Sequence, residues 1–378
     1  MRSGAPGLPA VGGRLAGAAF RFRTDAPDLA AYAGVHLAML ASDEAGPPDV
    51  DAILRWHEGQ PPEDRLAAFP YLSQMERVDR DIYVTAEEIH WFRVDDLRDL
   101  YVHFAWRDGR LRIEGDFFHR LANDPRRDRA KRLLYRKRVP ALRQQRFTTL
   151  LYYLVYYPCW WWLEYTQDLH PIHAAGIWTD AGVILLAGAS GVGKSTLSVA
   201  LGTLPGAKLL SDSFVLHNKT DVFPVREPLL LDGWSRGWLG SAADELQAID
   251  WRYCLNRTGY CLPPHRLADS GRATLLVLPR RAAAAFTRRM TAEQARQRLS
   301  AANLIVNDLR RYWAFAAVIE HIVPGGLVSR REAQLSRLTS EVPCHEVGLT
   351  ADMASRAAAE RIMHLLRGKH LRVIASRQ

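Results

Sequence analysis

Short apolar–polar alternations mark the first third of the chain, and longer apolar runs mark the rest. Ala19–Arg23 (AFRFR) alternates and predicts a strand, and Asp28–Met39 has helical spacing after a Pro-Asp start. Pro47–Pro62 carries a Pro-Pro pair at each end, which predicts loops around one short helical turn. Asp81–Thr85, Ile89–Val94, Tyr101–Trp106 and Leu111–Glu114 read as further strands. The last two flank Arg107-Asp108-Gly109-Arg110, and Asp-Gly suits the left-handed backbone of a type I′ hairpin turn. Residues 1–127 therefore predict a smaller α+β domain on a small antiparallel sheet, with a role in substrate recognition. Residues 128–169 predict a helical connector, first basic and then aromatic.

From residue 170 the pattern changes. Ile172–Trp178 and Val183–Ala187 predict strands joined by the turn Thr179–Gly182. A helix is expected over Ser195–Leu204, and strands over Lys208–Leu210, Ala273–Leu278 and Glu341–Val347. Ala292–Ile322 and Ala351–Leu366 have helical character. Strands interleaved with helices predict an α/β catalytic domain over 170–378.

The length of 378 residues accommodates this organisation, and 48% hydrophobic with 24% charged residues is the balance of a folded globular chain. The start MRSGAPGLPAVGGRL lacks the apolar core of a signal peptide. Leu150–Leu163 is apolar but short of the ~20 residues a membrane helix needs, and Pro158 interrupts it. It is expected to be a buried or interface helix. No integral membrane span and a cytoplasmic location are the expectation. Cys159, Cys254, Cys261 and Cys344 form no Cys-x-x-Cys pair, which suits reduced thiols. The net charge of +9 is concentrated. Ten basic residues lie between Arg126 and Arg146, with Asp128 as the only acid among them, and Arg280, Arg281, Arg288, Arg289, Arg296 and Arg298 form a second group. Such runs are solvated helix faces or docking surfaces for acidic or phosphorylated partners.

The chemistry concentrates at VILLAGASGVGKSTLSVAL, residues 183–201. Gly188-Ala189-Ser190-Gly191-Val192-Gly193-Lys194-Ser195 is a complete phosphate-binding loop pattern, set between a predicted strand and a predicted helix. Glycines let successive N–H groups turn toward phosphate oxygens, and the helix start adds its positive dipole end. Residues 188–195, with Thr196 following, are the expected nucleotide contacts. Lys194 is expected to reach the β- and γ-phosphates, and the Ser195 hydroxyl to bind Mg²⁺. Phosphoryl transfer also needs an acid for metal or acceptor. Asp212 lies 18 residues after Lys194, a spacing that suits one helix and one returning strand, so it falls at the sheet edge where α/β proteins bind ligands. A lone Asp there is otherwise a turn or N-cap residue. His173 lies 21 residues before Lys194. It is either a partner that orients Asp212 or a satisfied structural histidine.

HPIHAAGIWTDAGVILLAGASGVGKSTLSVAL followed by KLLSDSFVL resembles the C-terminal kinase domain of bacterial HPr kinase/phosphorylases and their relatives, including kinases encoded in lasso-peptide clusters. His173-Ala174, Gly188–Ser195 and Asp212 match the family pattern. The resemblance spans roughly 170–366 and is specific over 170–216. It implies a P-loop kinase fold, with Asp212 as general base supported by His173, and with Lys194 and the loop amides on the phosphates. It implies Mg²⁺ on Ser195 and a carboxylate. Ser213 stands where the family has a second acid. That departure puts phosphorylase activity in doubt and leaves the metal short of a ligand, for which Glu227 is the candidate. Among Arg226, Arg236 and Arg252 the sequence does not choose a contact for transition-state charge.

The leading expectation is an ATP- and Mg²⁺-dependent kinase acting on a hydroxyl, by resemblance a Ser of a peptide or small protein. Alternatives are a nucleic-acid-dependent or regulatory ATPase using the 126–146 segment, and a small-molecule kinase acting on a sugar or free serine. Homo-oligomerisation is left open.

Overall fold

The computed structural model describes residues 8–42, 46–62, 69–94, 97–188, 191–254, 257–350 and 353–375; for 252–254 and 367–375 it describes the backbone alone. The chain divides into two compact units, residues 1–162 with 311–326, and 163–310 with 327–378. Compared with divisions at 127 and 169, the first unit extends to Trp162 and takes Arg311–Gly326 from the far half of the chain.

The first unit holds an eight-stranded sheet in the order Ala10–Leu15, Ala18–Thr24, Val50–Glu58, Arg110–His119, Leu97–Arg107, Glu88–Val94, Ile82–Val84, Glu76–Asp79. It is neither small nor wholly antiparallel. Val50–Glu58 pairs in parallel with both Ala18–Thr24 and Arg110–His119. That strand occupies the region expected to be loop. Val50, Ala52 and Leu54 are buried with period two, and the proline pairs fall outside the paired residues. The Arg107–Arg110 hairpin forms as expected, with Asp108 and Gly109 at φ 53° and 73°.

Helix Val139–Leu151 runs through a π-turn, Tyr152–Tyr156, into helix Tyr157–Gln167. Pro158 therefore does not end the helical path. The ladder widens just before it, where a proline lacks the N–H that an α-helix needs. Tyr153, Tyr156, Tyr157, Trp160 and Trp161 are fully buried, so this apolar run is core. Tyr312 packs against Trp160 at 5.3 Å and Phe315 against Phe104 at 5.4 Å, which explains why 311–326 belongs to this unit. Among the described residues no helix is long and apolar enough to cross a membrane.

The second unit is a mixed α/β structure. In its nine-stranded sheet Gly182–Ala187 runs parallel to Gly271–Arg281, which runs parallel to Cys344–Leu349. Ala174–Thr179 lies antiparallel to both Gly182–Ala187 and Ala207–Ser211. Both faces are covered, which accounts for the unbroken apolar run at 183–187. Ile184 and Leu186 pack with Leu197 and Leu201 of helix Lys194–Gly202 and with Ile362 and Leu366 of helix Ser355–Ala375. Val183, Leu185 and Ala187 face Leu299 of helix Ala292–Ile305 and Leu335 and Leu338 of helix Leu327–Glu341. Leu229–Leu231, Arg257–Cys261 and Gln247–Cys254 make a separate three-stranded sheet.

A buried ionic network underlies the start of this unit. Glu164 is fully buried and takes two hydrogen bonds from Arg331, at 2.6 and 2.5 Å, with His170 Nδ1 at 2.7 Å. Arg330 donates to Asp168 at 2.8 Å. Burial alone would raise the Glu164 carboxyl, but the Arg331 charge and hydrogen bonds hold it well below the usual carboxylate range. Removing one member of such a network strands the others. Glu164→Gln is expected to destabilise the protein by ~3–5 kcal/mol, read as a lower urea midpoint. The sign with pH follows from the depressed pKa. The contribution is fully present above the unfolded value of about 4.3 and is lost as pH falls below it toward the folded value. The difference in stability between wild type and Glu164→Gln should therefore shrink on acidification.

Candidate functional site

The turn that follows Gly182–Ala187 places the predicted loop. Gly188, Gly191 and Gly193 have φ of 144°, 82° and 91°, values that disfavour any side chain with a Cβ. A Cβ at Gly191 or Gly193 would meet nothing within 4 Å, so the backbone there is open to a ligand. Ala189 and Ser190 lie outside the described residues. Gly193 precedes helix Lys194–Gly202, whose start points its N–H groups toward the turn. Val192 and Ser195 are half-buried, and Lys194 and Thr196 are buried.

Lys194 Nζ donates to the Gly188 carbonyl at 2.8 Å, folding the ammonium back over the turn. Burial lowers its pKa to about 8, and the charge of Asp212 opposes that shift. The cation is the form that attracts phosphate. As pH rises through about 8, the free protein loses that cation, so nucleotide affinity is expected to fall toward tenfold per pH unit above it. Titration calorimetry with Mg-ATP between pH 7 and 10 reads this, and Lys194→Met should flatten the profile.

Asp212 follows strand Ala207–Ser211. That strand and Gly182–Ala187 both lie antiparallel to Ala174–Thr179, so they run the same way and end at the same edge of the sheet. The edge placement expected from spacing is therefore present. Asp212 Oδ1 accepts from Ser198 Oγ at 2.8 Å, and Oδ2 from Ser213 Oγ at 3.4 Å. Burial raises the Asp212 carboxyl, while hydrogen bonds from Ser198 and Ser195 and the Lys194 charge pull the other way; the net shift is upward. The turn is pinned by Ser211 Oγ, at 2.5 Å from the Phe214 carbonyl and 2.6 Å from that of Val225.

His173 departs from expectation. The strand expected over Ile172–Trp178 is broken at this residue into His170–Ile172 and Ala174–Thr179. The His173 ring packs against Phe214 at 5.4 Å, and its Nδ1 is buried with no hydrogen-bond partner among the described residues. No hydrogen bond joins it to Asp212, whose oxygens are taken by serines. Its backbone N–H donates to Asn303 Oδ1 at 3.1 Å, which fixes the break. Burial, and then the Lys194 charge, lower its pKa to about 3, so the ring is neutral.

Glu227 is half-buried, two residues beyond the Val225 carbonyl that Ser211 holds, so the chain brings it back toward Asp212. Of the candidate arginines, Arg226 is engaged by Asp269 at 2.5 Å and the Ala268 carbonyl at 3.0 Å, and Arg236 stacks on Tyr260 at 5.8 Å. The Arg252 side chain lies outside the described residues. Sequence reasoning missed Ser198 and Asn303. Ser198 was accessible, because three residues beyond Ser195 is the same helix face. Asn303 is 130 residues from His173, and no local pattern links them.

No family model matches the chain, and no curated protein matches it. Among solved structures it is similar to the "Hpr(Ser) kinase/phosphatase from Coxiella burnetii", at 13% identity, over 55% of this chain and 94% of that chain, with a TM-score of 0.30.

Proposed function

We propose that the second unit is an ATP-dependent phosphotransferase that moves the γ-phosphoryl group onto a hydroxyl. The observation that carries this reading is the joint placement of Lys194 and Asp212. A buried lysine that caps a glycine turn and an acid bonded to the helix that starts at that lysine lie at one sheet edge, close enough for each to feel the other's charge.

The residues fit the groups this chemistry requires. The turn leaves room where Cβ atoms would stand at Gly191 and Gly193, so backbone amides can approach phosphate oxygens. The Ser195 hydroxyl and the Asp212 carboxylate are hard oxygen donors, already close enough to hydrogen-bond, which suits Mg²⁺. Glu227 is the further carboxylate proposed for the metal. Bound Mg-ATP supplies the transferable phosphoryl group. With the nucleotide bound, Lys194 would hold its β- and γ-phosphate oxygens and offset their charge. Asp212 orients the acceptor hydroxyl and takes its proton. His173, neutral and packed on Phe214, lies near enough to feel the Lys194 charge but does not hold Asp212.

The acceptor we propose is a Ser of a peptide or small protein of acidic or phosphorylated character. Arg126, Arg127, Arg129, Lys131, Arg136, Lys137, Arg138 and Arg146 are exposed and suit such a partner. Arg132 and Arg143 do not add to that surface, because both pair with Glu58. Incubation with γ-labelled ATP, Mg²⁺ and serine peptides of graded charge tests the reading. Label on acidic peptides supports it. Label on sugars or free serine favours a small-molecule kinase, and hydrolysis stimulated by nucleic acid with steep salt dependence favours an ATPase.

A further inference from the structure

The first unit contains a cluster that phosphoryl transfer does not use. His90, on strand Glu88–Val94, and His103, on strand Leu97–Arg107, are directly opposite each other in the antiparallel register. Glu88 is two residues before His90, so it falls on the same face of the sheet. The two imidazoles stack at 4.4 Å, and one donor atom from each of Glu88, His90 and His103 lies within 4.8 Å of the others.

Three observations favour a ligand over packing alone. His90 is 2% exposed, yet its Nε2 has no hydrogen-bond partner among the described residues. His103 Nε2 has none either, although it approaches a Glu88 carboxylate oxygen to 3.4 Å. A buried nitrogen left without any partner, as at His90, is costly unless something bonds it. That 3.4 Å spacing equals the separation of two ligands on a tetrahedral ion with bonds of about 2.0–2.1 Å. Finally, the other nitrogen of His90, Nδ1, lies 2.6 Å from Tyr101 Oη. With Nδ1–H donating to that oxygen, the Nε2 lone pair is left for a metal, the outer-shell arrangement common for ligating histidines. Arg107 holds the remaining Glu88 oxygen at 2.7 Å.

We propose that Glu88, His90 and His103 form a site for a divalent first-row transition cation of the zinc class. Two imidazoles and one carboxylate suit that class and not Mg²⁺ or Ca²⁺, which prefer oxygen donors. Three protein ligands leave a fourth position for water. The site lies within the first unit and is independent of the proposed phosphoryl transfer.

The test uses the full chain, stripped of metal with a chelator, without nucleotide. Zn²⁺ titrated by calorimetry is expected to bind with one equivalent at this site and to raise the melting temperature. Co²⁺ in its place should give the visible bands of a four-coordinate ion. His103→Gln and Glu88→Gln, both partly exposed and checked for native circular dichroism, should weaken Zn²⁺ binding at least tenfold and remove the Co²⁺ bands. Lys194→Met should leave both unchanged. No Zn²⁺ binding by wild type, or binding unchanged in both folded variants, overturns the proposal.

Discussion

Lys194→Met is expected to reduce phosphoryl transfer by ~10²–10³-fold and to weaken nucleotide binding by ~10–100-fold. The argument starts from burial. An ammonium taken from water is costly, and this one is retained over a glycine turn with the Gly188 carbonyl and the Asp212 charge as its partners. Such a cation is set to meet anionic oxygens at the start of helix Lys194–Gly202. Methionine keeps the stem of the side chain and removes the charge. The Gly188 carbonyl loses a donor, which costs about 1–3 kcal/mol of stability. Thermal melting separates that modest loss from the loss of function. Calorimetry with Mg-ATP and a transfer assay on the same preparation complete the measurement.

The second large effect is at Asp212. Asp212→Asn is expected to lower transfer by ~10²–10⁴-fold while Mg-ATP still binds. The amide keeps the shape of the carboxyl and its bond with Ser198, so the turn pinned by Ser211 stays in place. What is lost is the capacity to take a proton and the negative charge opposite Lys194. Removing that charge also removes what holds the Lys194 pKa up, so the affinity of the variant should fall off at lower pH than in wild type. A merely structural aspartate would instead give a loss of stability with little selective loss of turnover. Ser198→Ala separates the roles further. It should alter the pH profile of transfer, because it removes a hydrogen bond that holds the Asp212 carboxyl down.

Much of the second unit was legible because its signals are local. The 183–187 run, the glycine turn and the following helix are contiguous, and each element agrees with the next. The spacing to Asp212 reflected one helix and one strand, and the strand directions place its residue at the predicted edge. The misses share a cause, since each depended on partners far along the chain. Val50–Glu58 reads as loop when its flanking prolines are weighed alone, yet it gains two parallel neighbours that local patterns do not reveal. His173 was placed on a strand beside the loop, and the side chain of Asn303 helps bend the chain there instead. The segment 311–326 rejoins the first unit through Tyr312 and Phe315, a return that no local pattern encodes.

The basic segments show the same lesson in charge. Read as a run, 126–146 is a uniform cationic stretch. In the fold Asp128 accepts from the backbone N–H of Ala122 at 3.2 Å and from Arg132 at 2.7 Å, so part of the run is internal scaffolding. In the second group, Arg280 and Arg288 converge on Glu346, which is only 3% exposed. Counting charges therefore overstates the surface available to an acidic partner.

The central claim is that Lys194 and Asp212 act together to move a phosphoryl group onto a hydroxyl. Its most direct test is a single-turnover transfer assay with γ-labelled ATP and a library of serine peptides, comparing wild type with Asp212→Asn at equal nucleotide occupancy. The account predicts a labelled phosphoserine product with wild type, identified by mass spectrometry, and its loss by at least ~10²-fold in the variant. Equal product from the two proteins, or a wild type that binds no nucleotide, would contradict it.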